Sequence, residues 1–106
     1  MRVLIADDSA LMRKVLSGMF AAGRGFEVVG TALNGADAVD KVRELKPDIV
    51  TMDVEMPVMN GLTALRKIRA EFGPGKPAVL MCSTLTQAGS ETALQALQAG
   101  AADVIA

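Results

Sequence analysis

Three apolar runs constrain this chain more than any other feature, because each ends on a residue that prefers water. Arg2 to Ala6 (RVLIA) runs into Asp7-Asp8, Asp48 to Met52 (DIVTM) runs into Asp53, and Ala78 to Ser83 (AVLMCS) closes on a hydroxyl. A short run with no polar alternation reads as a strand covered on both faces. Such a strand needs helices above and below it, which points to a layered α/β fold rather than a sandwich or a bundle.

The segments between the runs supply those helices. Ser9 is placed to cap a helix carrying Leu11, Val15, Leu16, Met19 and Phe20 at helical spacing, ending near Gly23. Phe26 to Leu33 is rich in β-branched residues and predicts a further strand, punctuated by Asn34-Gly35. Ala38, Val39, Val42 and Leu45 line a second helix closed by Pro47, and Asn60-Gly61 opens a third with Leu62, Leu65, Ile68 and Phe72. Gly73-Pro74-Gly75 ends that helix. A weakly apolar helix is predicted around Ser90 to Ala99, and Ala102 to Ala106 reads as a fifth strand. This alternation predicts a doubly wound parallel five-stranded sheet in a single domain over residues 1–106, apparently lacking the final C-terminal helix that such a fold would carry. An uncovered sheet face would favour self-association of the fragment.

In open α/β sheets, ligands sit beyond the carboxyl ends of the strands where the strand order reverses. With the order 2-1-3-4-5, Asp7, Asp8 and Asp53 converge at one such point, with Glu55 just beyond. Carboxylates a few Å apart repel one another and raise each other's pKa, so a divalent cation belongs in the gap. An all-oxygen donor set favours a hard ion of the Mg²⁺ type. A carboxylate there can also act as a nucleophile toward phosphorus. Simpler readings exist: Asp8 as a helix-start acid, Asp53 as a turn residue before Pro57, Ser83 and Thr84 as local caps. Gly61 reads as a turn residue, Cys82 and the methionines as core with Met56 and Met59 as exceptions beside the site, and Arg66, Lys67 and Arg69 as a solvated helix face.

Composition narrows the chemistry further. The chain has no histidine, so no Ser-His-Asp triad, no Cys-His pair and no histidine-ligated zinc are possible within it. No catalytic hydrolase residues are expected in it. Formal net charge is −1, from 11 basic and 12 acidic residues, which gives no overall attraction to nucleic acid or to an anionic membrane. No run approaches the roughly 20 apolar residues of a membrane span. One cysteine allows no internal disulfide, and the cytoplasm is the expected location.

The motifs also carry a resemblance. Asp7-Asp8-Ser9, then Met52-Asp53-Val54-Glu55-Met56-Pro57 with Asn60-Gly61, then Met81-Cys82-Ser83, and finally Ala99-Gly100-Ala101 resemble the receiver domain of two-component response regulators over essentially the whole chain. More narrowly, DDSALMRKVLSGMF, MDVEMPVMNGLTALRKI and MCSTLTQAGSETALQALQAGAADVIA resemble the receiver of the chemotaxis protein-glutamate methylesterase. The resemblance implies a flavodoxin-like fold and a phosphoacceptor at Asp53. It implies Mg²⁺ (or Mn²⁺) on Asp8, Asp53 and the backbone carbonyl of Glu55, with Asp7 acting through a metal-bound water. Ser83 and Thr84 would contact the phosphoryl group, and Val104 occupies the place of the family's aromatic switch.

The implied phosphodonor is a histidine kinase of chemotaxis type, and the implied effector is a methylesterase domain C-terminal to this one. The family's lysine after the fifth strand falls just beyond Ala106. A DNA-binding output is the alternative on the same receiver. A haloacid-dehalogenase-type phosphatase, on the strength of Asp53-Val54-Glu55, and a flavin carrier are the enzyme and cofactor alternatives. The flavin reading is disfavoured by three Phe and no Trp or Tyr.

Overall fold

The computed structural model describes residues 1–82 and the backbone of residues 103–105. Eight elements follow one another: β1 (Arg2–Ala6), α1 (Ala10–Ala22), β2 (Glu27–Ala32), α2 (Gly35–Leu45), β3 (Ile49–Asp53), α3 (Gly61–Phe72), β4 (Ala78–Cys82) and β5 (Asp103–Ile105). All strand pairings are parallel, in the order β2-β1-β3-β4-β5. The expected strand order holds, and the limits of the described strands and helices lie within a residue or two of those read from the sequence; the helix expected around Ser90 to Ala99 lies outside the described residues. β3 runs one residue further than predicted, so Asp53 is its last residue rather than the first of a loop.

The helices start where side chains can replace missing backbone partners. The Ser9 hydroxyl accepts from the Met12 N–H at 3.2 Å, and the Asn34 and Asn60 side chains accept from Asp37 and Thr63 N–H groups at 2.8 and 2.9 Å. α2 stops at Lys46, which adopts the left-handed conformation ahead of Pro47, and α3 stops at Gly73 with φ 84°.

Strand alternation sorts the sheet into two faces. On one, Leu4, Ala6, Val50, Met52, Val79 and Met81 lie in register across three strands and join Ala38, Val39 and Val42 of α2 and Ala64, Leu65 and Ile68 of α3 in one buried cluster. On the other face Val3 and Ile5 are buried, but α1 has no buried residue. Its apolar stripe is largely uncovered among the described residues: Leu11 is 69% exposed and Met19 66%. A cavity of about 600 Å³ lies between α1 and the sheet, lined by Met12, Leu16, Phe20, Thr51, Leu80 and Cys82. The Thr51 hydroxyl is buried there with no hydrogen-bond partner among the described residues. The methionines therefore divide: Met52, Met56 and Met81 are core, whereas Met1, Met12 and Met19 are exposed.

Candidate functional site

β1 and β3 are neighbours, so their carboxyl ends carry Asp7, Asp8 and Asp53 to one place. One carboxylate oxygen from each of the three lies within 4.8 Å of those of the other two. Asp7 is buried, Asp53 half-buried and Asp8 exposed, so the cluster opens toward solvent on the Asp8 side.

Asp7 is fixed from three directions. Its N–H donates to the Ala32 carbonyl at 3.0 Å, its Oδ1 accepts from the Ser9 N–H at 2.9 Å, and its carbonyl accepts from the Arg13 guanidinium at 2.8 Å. None of the three carboxylates forms an ion pair with a lysine or arginine among the described residues.

Uncompensated charge leaves its mark on Asp53. Burial, then the negative charge of Asp7 and to a lesser degree Asp8, push its carboxyl up to about 6, against the opposing backbone N–H groups of Glu55 and Val54. The Glu55 N–H donates to Asp53 Oδ1 at 3.4 Å, a long contact, while Glu55 itself is exposed and its carboxylate is not one of the three in the cluster. The donor set is all carboxylate, held at separations one small cation can bridge. It fits a hard divalent ion.

Cys82 sits opposite Asp53 in the β3–β4 pairing and lines the cavity. Burial, Asp53 and Asp7 push its thiol up to about 11, so it stays protonated at neutral pH and unreactive. It is half-buried rather than core. Ser83 and Thr84 lie outside the described residues. Val104 is the middle residue of β5, paired with Met81 through the backbone. Arg69 departs from expectation: its guanidinium is drawn off the solvated face and donates to the Pro77 carbonyl at 2.7 Å, while Arg66 and Lys67 are exposed as expected.

Residues 54–60 connect β3 to α3 and wrap the site. The Gly61 N–H donates to the Val54 carbonyl at 2.8 Å, closing the base of this loop. A Cβ at Gly61 would lie 2.1 Å from the Asp53 carbonyl oxygen. Its φ is not in the left-handed region, so Gly61 serves close approach rather than the turn geometry expected of it. Sequence reading missed the second contact on this loop, from Gly35. The signal was present in the repeated Asn-Gly pair: both asparagines cap a helix, and both glycines start that helix against the loop beside Asp53.

The comparisons with known proteins agree with this geometry. Residues 3–106 match the response regulator receiver domain family, and the chain belongs to that family. It is similar to the response regulator domain of Thermotoga maritima CheB, with 45% identity and a TM-score of 0.94, covering 99% of this chain and 76% of that one. It also superposes on a chain of the CheX-CheY-BeF3-Mg²⁺ complex from Borrelia burgdorferi at 36% identity and TM-score 0.88, covering 99% of this chain and 76% of that one.

Among curated proteins, it is 49% identical to a protein-glutamate methylesterase/protein-glutamine glutaminase of a Nocardioides species and 47% identical to that of Bacillus subtilis, each over 98% of this chain. The chain spans about 28% of the length of these two relatives. Family membership sets aside the phosphatase and flavin-carrier readings. Among the described residues, no helix is long and apolar enough to cross a membrane.

Proposed function

We propose that this domain is the phosphoryl-accepting switch of a chemotaxis response regulator whose output is a methylesterase. The observation that carries the proposal is the convergence of Asp7, Asp8 and Asp53 at the ends of two adjacent strands, with Asp53 as the last residue of β3, directly before the β3–α3 loop. In the transfer, an Asp53 carboxylate oxygen attacks phosphorus as the P–N bond of a phosphohistidine on a histidine kinase breaks. The imidazole leaves with the bonding pair and takes a proton from solvent; Asp53 keeps an acyl phosphate.

Asp8, Asp53 and the Glu55 carbonyl would hold Mg²⁺ (or Mn²⁺), with Asp7 reaching it through a water. When bound, that ion supplies positive charge to a site that otherwise collects negative charge. Asp7 orients the start of α1 through the Ser9 N–H and keeps its own position through Ala32 and Arg13. Asp53 must be ionised to act, so its raised pKa makes the metal-free site a poor nucleophile below about pH 6.

Ser83 and Thr84, directly after β4, would receive the phosphoryl oxygens. The fifth-strand region around Val104 would carry the change to an attached effector. The methylesterase output is favoured over a DNA-binding one because the methylesterase relatives are 47–49% identical, against 26% for a DNA-binding response regulator of the LuxR family from Staphylococcus aureus. The cytoplasm, where a kinase and its phosphodonor meet, is the proposed location.

The test is beryllofluoride, a phosphoryl mimic, added with Mg²⁺ to the 106-residue chain and followed by amide NMR. Shifts centred on Asp53, Glu55 and Asp7 are expected in the wild type and not in Asp53→Asn. An unchanged wild-type spectrum would contradict the proposal.

A further inference from the structure

We infer that Gly35, the first residue of α2, is a positioning residue for the Asp53 site, acting through the carbonyl of Met59; the inference rests on the receiver function proposed above.

Gly35 has no conformational reason to be glycine, because its φ is not in the left-handed region. Its reason is space. A Cβ there would lie 2.3 Å from the Met59 carbonyl oxygen and 2.9 Å from the Met59 carbonyl carbon, both backbone atoms that cannot swing aside. The close approach puts the Gly35 N–H on that oxygen at 2.8 Å. Helix-start N–H groups lack partners within their own helix. The Asn34 side chain serves the Asp37 N–H, and the Gly35 N–H is turned outward onto the loop.

The carbonyl it holds belongs to a strained turn. The Met59 N–H donates to the Pro57 carbonyl at 2.7 Å, and Val58 between them has φ 68°, the geometry of a γ-turn with positive φ. A β-branched residue avoids that region. The Val58 side chain is 85% exposed and gains no packing in exchange. A conformation so disfavoured persists only where its surroundings impose it. Hydrogen bonds on either side of it do so: Val54 N–H on Cys82 and Gly61 N–H on Val54 at the base of the loop, and Gly35 N–H on Met59, the residue directly after Val58. The base contacts involve β4 and α3. The Met59 contact comes from α2, which lies before β3 in sequence, and it restrains the loop that also contains Val54 to Met56. The backbone of Glu55, whose N–H reaches Asp53 Oδ1 and whose carbonyl is proposed above as a metal ligand, lies within that span.

A merely structural glycine would alter stability and leave metal affinity alone. The experiment therefore reads Mg²⁺ binding and amide hydrogen exchange by NMR in the 106-residue chain, for wild type, Asp53→Asn, Gly35→Ala, Val58→Gly and the Gly35→Ala/Val58→Gly pair. Coupling between two sites is reciprocal. Saturating Mg²⁺ is thus expected to slow exchange of the Gly35 N–H in the wild type. Gly35→Ala is expected to weaken Mg²⁺ affinity about tenfold, the scale for a lost outer partner of a metal ligand. In the Val58→Gly background the turn accepts positive φ without strain. There the same Gly35→Ala change should weaken affinity less than it does beside Val58.

Unaltered affinity in folded Gly35→Ala, or a Gly35 N–H indifferent to Mg²⁺ in the wild type, would overturn the inference. Additive effects of the two substitutions would overturn it equally. If Gly35→Ala does not fold, the wild-type exchange measurement decides alone. Failure of the receiver function looks different: the wild type then binds Mg²⁺ no better than Asp53→Asn.

Discussion

The two faces of the sheet differ in what covers them among the described residues. Toward α2 and α3, Leu4, Val50, Met52, Val79 and Met81 are completely buried, and both helices contribute completely buried side chains of their own. Toward α1, the helix buries nothing fully, a cavity remains, and a threonine hydroxyl is left without a partner among the described residues. α2 and α3 are the helices whose first residues seat the β3–α3 loop, so the dense face fixes the backbone around Asp53. The three carboxylates sit above the open face, where charge can be reached from solvent.

The comparison can be broken most forcefully from the dense side. Ile68→Ala should destabilise the domain by about 2–5 kcal/mol, because a packed core around a lost side chain collapses only in part. Chemical denaturation checks this. A loss below about 1 kcal/mol would mean that the face is looser than its burial indicates.

Next in size is the acidic cluster. In the folded, metal-free domain Asp53 holds its proton up to about pH 6, whereas unfolding returns it to its ordinary value of 3.8. The folded state therefore binds the extra proton between those values, and stability falls as pH rises from about 4 to 6. Above about pH 6 the loss is complete. Asp53→Asn should remove this slope and be more stable than wild type at neutral pH by about 1–2 kcal/mol, roughly half the full conversion because the site is partly solvated. Mg²⁺ should oppose the trend, since it competes for the ionised form, and its affinity should weaken as pH drops below about 6. Thermal melts with and without Mg²⁺, on either side of that pH, test both signs.

On the open face, Thr51→Val replaces an orphan hydroxyl by a methyl of similar shape. It should be neutral or stabilising by up to about 1 kcal/mol. A clear destabilisation would show that the hydroxyl has a partner after all. The smallest effect belongs to Met19→Ala, expected to stay within about 0.5 kcal/mol. Together with Ile68→Ala it measures the contrast between the faces directly.

Much of this was legible in the residues, for identifiable reasons. Continuous apolar runs such as RVLIA fix strands covered on both sides, and helix-capping Ser9, Asn34 and Asn60 mark starts to within a residue. The convergence of Asp7, Asp8 and Asp53 followed from strand order, since parallel strands put their carboxyl ends together. Periodicity placed α1 and its apolar side, but a helical stripe says nothing about what covers it. It also said nothing of Gly35, Gly61 and Arg69, whose roles depend on backbone atoms that no sequence pattern marks: those of Met59, Asp53 and Pro77. Glycine read as punctuation conceals steric necessity.

The central claim is that Asp53 accepts a phosphoryl group. Its most direct measurement is intact mass after incubation with acetyl phosphate and Mg²⁺, followed by mapping of the modified residue. The account predicts a gain of one phosphoryl group, dependent on Mg²⁺, located on Asp53 and lost in Asp53→Asn. Unchanged mass in the wild type, or a phosphoryl group that persists in Asp53→Asn, would contradict it.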